Sequence, residues 1–122
     1  MKKKYEIKLL VSCLSFCLLL LCLYPSVTQA NAPQDIKITY DANSQILKVT
    51  ITHKSSSPNS HYIKYVEITK NGNAIGKNIY DSQPDPETFS YTYNVPAVKG
   101  DSLAVKASCS RFGSKTAELN IQ

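Results

Sequence analysis

HYIKYVEITKNGNAIGKNIY, residues 61–80, is the stretch whose reading decides the fold. Its first half is rich in β-branched and aromatic residues, which favour strands. Asn71-Gly72 then supplies the strongest short hairpin signal, because both residues tolerate the positive φ of a tight primed turn. NAIGKNIY, residues 73–80, reads as the return strand. Upstream, DIKITY (35–40) alternates, with Ile36, Ile38 and Tyr40 on one face and Lys37 and Thr39 on the other. DANSQ (41–45) is a turn, and ILKVTITH (46–53) alternates again through Leu47, Val49 and Ile51. Downstream, the Pro-broken DSQPDPE (81–87) leads into TFSYTYNV (88–95), with Phe89, Tyr91, Tyr93 and Val95 on one face. VPAVKGDS, LAVKASC (103–109) and KTAELNI (115–121) complete the chain. Turn signals every eight to twelve residues, with no sustained helical period, predict an all-β, immunoglobulin-like antiparallel sandwich of about seven strands.

The first thirty residues belong to a different class. MKKKYEIK is basic, LLVSCLSFCLLLLCLY (9–24) is apolar, and PSVTQA ends on the small residues Thr28 and Ala30. These are the parts of a secretory signal peptide, so residues 1–30 are expected to be removed and residues 31–122 to form one exported domain, periplasmic or extracellular. Cleavage after Ala30 suits the pattern better than cleavage after Ala32, since Pro33 would then follow the scissile bond. An uncleaved anchor is the alternative, and the membrane is met only through that segment. Cys13, Cys17 and Cys22 leave with the leader, so Cys109 is alone and forms no internal disulfide. The formal charge of +5 drops to +2 over residues 31–122, ten basic against eight acidic, which gives no argument for nucleic acid. A redox partner or another envelope protein fits an exported domain better.

Three rare residues carry the chemistry. His53 and His61 are the only histidines and flank the loop KSSSPNS (54–60). His53 shares the parity of Val49 and Ile51, and Cys109 that of Leu103, Val105 and Ala107, so both fall at the ends of apolar rows. Unless a bulge intervenes, they converge at one rim of the sandwich. Imidazole nitrogen and thiolate sulfur are ligands for iron, zinc and copper. By composition alone the same residues read as a loop histidine, a strand-start histidine and a small buried thiol.

Their order adds to this. His53, the loop, His61-Tyr62-Ile63, the Asn-Gly hairpin and Cys109-Ser110-Arg111-Phe112-Gly113 together resemble the iron-binding domain of the superoxide reductases, the desulfoferrodoxin family. The likeness spans about Thr50 to Gly113. It implies an immunoglobulin-like fold, iron as cofactor, and His53, His61 and Cys109 as metal ligands. In that family four histidines and an axial cysteine hold ferrous iron and leave one position open for superoxide. Two of those five ligands have no counterpart: Phe112 stands at the late histidine, and no histidine precedes His53. A non-catalytic immunoglobulin-like module that binds a protein or a small ligand in the cell envelope is the alternative.

Other signals are weaker. The tyrosines at 62, 65, 80, 91 and 93 read as strand packing before they read as a binding face. Asp81, Asp85 and Glu87 read as a solvated turn before a calcium loop. No Ser/His/Asp order, phosphate loop or paired-carboxylate motif is present. Export makes a direct prediction: intact-mass measurement of the native protein should give a chain starting at Asn31. A mass that retains residues 1–30 marks the anchored form instead.

Overall fold

The computed structural model describes residues 3–8, 11 and 31–122. Residues 3–8 are helical, and the expected apolar leader otherwise lies outside the described residues. Seven strands follow: β1 (Asp35–Asp41), β2 (Ile46–Thr52), β3 (Ile63–Lys70), β4 (Asn73–Ile79), β5 (Thr88–Asn94), β6 (Ser102–Cys109) and β7 (Ser114–Asn120). They form two antiparallel sheets, ordered β1-β2-β5 and β4-β3-β6-β7, an arrangement of the immunoglobulin type. Among the described residues no helix is long and apolar enough to cross a membrane.

Pleat parity builds the core. Side chains alternate between faces, so one row from each strand points inward. Leu47, Val49 and Ile51 of β2 face Leu103, Val105 and Ala107 of β6, all with no measurable exposure. Ile63, Val66 and Ile68 of β3 and Phe89 of β5 extend the same cluster. Each fully buried side chain of this kind contributes about 1.5–3 kcal/mol. Tyr40 ties β1 to the β5–β6 connection: its hydroxyl donates to Val95 O at 2.7 Å and accepts from Ala97 N at 3.1 Å. Residues 95–101 are otherwise irregular.

Turns fall where the sequence chemistry puts them. Asn71 and Gly72 have φ of 51° and 81°, the pair of positive values a type I′ hairpin needs. Asp101 fixes that hairpin from outside, accepting from the Asn71 side-chain amide at 2.9 Å. Two bulges interrupt the pairing of β3 with its neighbours, the first with its extra residue, Ile75, in β4 and the second with Lys64 in β3. One shifts its register against β4 between Ile68 and Thr69. The other shifts it against β6 between Ile63 and Tyr65, so Ile63 pairs with Cys109 while Tyr65 pairs with Ser108. Because this bulge lies in β3, β6 keeps its parity and Cys109 stays on the inward row.

Burial should govern the response to truncation. Ile63→Ala should lower the unfolding free energy by about 2–5 kcal/mol in a denaturant titration. Ile79→Ala, at a position 73% exposed, should change it by less than about 0.5 kcal/mol.

Candidate metal centre

His53 is the first residue beyond β2, and the β2–β5 ladder continues past it in altered form. Its N–H donates to Glu87 O at 2.8 Å, and Ser55 N–H donates to Pro86 O at 2.8 Å. The backbone therefore stays extended for one more pleat, and the imidazole follows Ile51 inward. It is 1% exposed. His61 arrives from a tight turn in which Ser60 and His61 N–H both donate to Ser57 O, at 2.9 and 2.8 Å. Cys109 closes β6, where its N–H donates to Gly113 O at 2.9 Å across the β6–β7 turn. Ser110 locks the two entering chains together: its N–H donates to Tyr62 O at 2.8 Å, and its hydroxyl accepts from Tyr62 N at 3.2 Å.

These three elements meet at one rim of the sandwich. One ligand atom from each of His53, His61 and Cys109 lies within 4.8 Å of the others. The imidazoles pack edge to face, centroids 4.8 Å apart and planes at 83°. Nitrogen and sulfur bound to one zinc-sized ion stand about 3–4 Å apart, given bonds of about 2.0–2.3 Å. Small side-chain rotations would close the remaining gap.

The surroundings of the three groups differ. His53 Nδ1 is 2.7 Å from Gln83 Oε1. The Gln83 amide donates from Nε2 to His53 O at 2.9 Å and Asp85 O at 2.8 Å, which fixes its orientation. Its oxygen therefore faces the ring, and His53 Nδ1 carries the proton. Nε2, unprotonated in that tautomer, faces Asn31 O at 3.2 Å, and since a carbonyl oxygen only accepts, that contact is a hydrogen bond only in the other tautomer. Ligating histidines are commonly held this way, the far nitrogen donating to a fixed acceptor. His61 Nε2 is buried with no hydrogen-bond partner among the described residues. A buried polar atom without a partner costs free energy, and a cation supplies the partner. Cys109 is 7% exposed, and its Sγ accepts from Arg111 N at 3.3 Å.

Burial, with smaller contributions from His53 and Arg111, lowers the His61 pKa below its ordinary 6.5. The imidazole thus stays neutral, as a ligand must be. For stability the sign follows directly. The unfolded chain takes up this proton near pH 6.5 and the folded chain only below that, so the group's contribution is complete above pH 6.5. It is lost as pH falls from 6.5 to the lowered folded value.

Phe112 would fill the place of a missing ligand if its ring turned inward; instead it is 89% exposed. The β6–β7 turn needs positive φ at two successive residues, 107° at Phe112 and 95° at Gly113, and that backbone swings the ring into solvent. The tyrosines pack, as their strand positions imply. Tyr80 stacks on Tyr91 at 4.3 Å, and its hydroxyl lies 2.7 Å from that of Tyr93, while Tyr65 sits under Lys77 Nζ at 4.1 Å. Burial raises the Tyr91 pKa to about 12, as suits a packed, neutral phenol. Asp85 Oδ1 accepts from the N–H groups of Glu87 and Thr88, at 2.8 and 3.1 Å, and so caps a turn. Gln83 is the residue that sequence reading passed over. It lies in a Pro-rich polar stretch where nothing marks it as buried.

No family model matches this sequence, and no curated protein matches it. Among solved structures it is similar to a variant of the superoxide reductase (neelaredoxin) from Ignicoccus hospitalis, with 17% identity, 80% of this chain and 85% of that chain covered, and a TM-score of 0.48. It is also similar to the superoxide reductase from Nanoarchaeum equitans, with 17% identity, 79% and 96% covered, and a TM-score of 0.44. The clustering of His53, His61 and Cys109 is a feature of this chain's own geometry.

Gln83→Met keeps the volume but removes the acceptor for His53 and the donor for two carbonyls. Metal titration should show affinity lower by about 10–100-fold. Denaturation should show a loss of about 1–3 kcal/mol. In the parent protein, the His61 ring protons followed by NMR should titrate below pH 6.5 in the metal-free state.

Proposed function

We propose that this protein is an exported metal-binding domain of the superoxide-reductase type, with His53, His61 and Cys109 as its ligands. The convergence of the three ligand atoms within 4.8 Å is the observation that carries the reading. The partnerless His61 Nε2 supports it independently. Two imidazoles and one thiolate suit iron, which the sequence resemblance implies, and equally zinc or copper.

The ligand count shapes the function. Superoxide reduction of the family's kind uses a square of four imidazoles, and this chain has two histidines in all. The domain therefore binds a metal with few protein ligands and leaves the rest of the shell to other donors. Holding or passing on a metal in the cell envelope fits that ligand set better than rapid turnover of superoxide. The thiolate is the strongest donor of the three and the only one with a full negative charge.

Protein purified without a histidine tag should carry close to one metal ion per chain in elemental analysis. Cys109→Ser should fold normally and lose affinity by more than the roughly 100-fold that a supporting residue costs. If parent and variant take up metal equally, or neither does, the reading fails, and a module that binds a protein or small ligand takes its place.

A further inference from the structure

We infer that cleavage after Ala30 makes Asn31 part of the metal site, its new α-amino nitrogen and its carbonyl oxygen closing on the same divalent transition-metal cation as His53, His61 and Cys109. This rests on the export and metal-binding readings and goes beyond both. The first observation is position. Asn31 O lies 3.2 Å from His53 Nε2, a separation at which a proton or a cation must stand between the two lone pairs. Within one residue the nitrogen and the carbonyl oxygen stand about 2.7–3.6 Å apart, so the Asn31 nitrogen is also near the rim.

The second observation is that this segment is clamped. Gln34 N–H donates to Thr52 O at 2.8 Å, and Gln34 Oε1 accepts from Lys54 N at 3.0 Å. Pro33 is buried. Gly113, at φ 95°, leaves the room that residue 32 occupies, since a Cβ there would stand 2.6 Å from Ala32 N. The β6–β7 turn that carries Cys109 is therefore shaped around the start of the domain.

Chemistry supplies the rest. In an uncleaved chain the nitrogen of residue 31 is a peptide nitrogen, with its lone pair delocalised into the carbonyl and unavailable to zinc or iron. Cleavage turns it into an amine. An α-amine and the carbonyl of the same residue close a five-membered ring on a cation. Three side chains alone leave a zinc-type ion short of four ligands. The amine fills that shell and the carbonyl extends it to five, so processing and metal loading become one event.

The test compares the exported, processed protein, its amino terminus sequenced, with the same chain retaining Ala30 at its start. Zinc(II) is titrated into each against a chromophoric chelator. The reactivity of the Asn31 α-amine toward an acylating reagent is mapped with and without zinc. The expected result is at least tenfold weaker zinc binding by the extended chain, with zinc protecting the Asn31 amine in the processed parent and not in Cys109→Ser. Equal, Cys109-dependent affinity with an amine that stays reactive overturns the inference and leaves the metal reading standing. An amino terminus elsewhere than Asn31 overturns it too. No zinc binding by either form overturns both.

Discussion

Two inward rows face each other across the sandwich, Leu47-Val49-Ile51 on β2 and Leu103-Val105-Ala107 on β6, and their burial fixes everything at the rim. Strand side chains alternate with a period of two, so a one-residue slip would carry each row to the wrong face. Each row ends in a ligand-type residue, His53 and Cys109 respectively. The same apolar packing that stabilises the domain thus sets the position of the site. Neither residue can leave the rim without displacing a row of core side chains.

Burying those ends has a cost that the local structure offsets only in part. Gln83 satisfies one nitrogen of His53 and is itself held by two backbone carbonyls. Cys109 Sγ accepts one backbone N–H. His61 Nε2 has no partner among the described residues. An apolar side chain would serve packing better at that place, so the arrangement makes physical sense as an incomplete coordination shell. Lys54 and Glu87 form an exposed pair at 3.3 Å nearby, which contributes little.

Most of the fold was legible in the sequence because the strands are short, alternating and separated by turn chemistry. Asn71-Gly72 gave its hairpin, and the parity of Leu47 to Ile51 extended correctly to His53. Cys109 kept its parity because the bulge fell in β3 rather than β6, which no residue of β6 signals. Strand β3 begins at Ile63, two residues later than its sequence pattern implied, because His61 is drawn into the serine turn and Tyr62 bonds to Ser110. Gln83 and the approach of Asn31 were not legible, since both depend on where irregular segments return. The outward swing of Phe112 follows from a positive φ that is rare for an aromatic residue, and so was equally hidden.

X-ray absorption at the edge of the bound metal tests the central claim most directly. One sulfur is expected at about 2.3 Å and at least two nitrogen or oxygen neighbours at about 2.0–2.1 Å, with imidazole scattering beyond them. A first shell of oxygen alone, without sulfur, would contradict it.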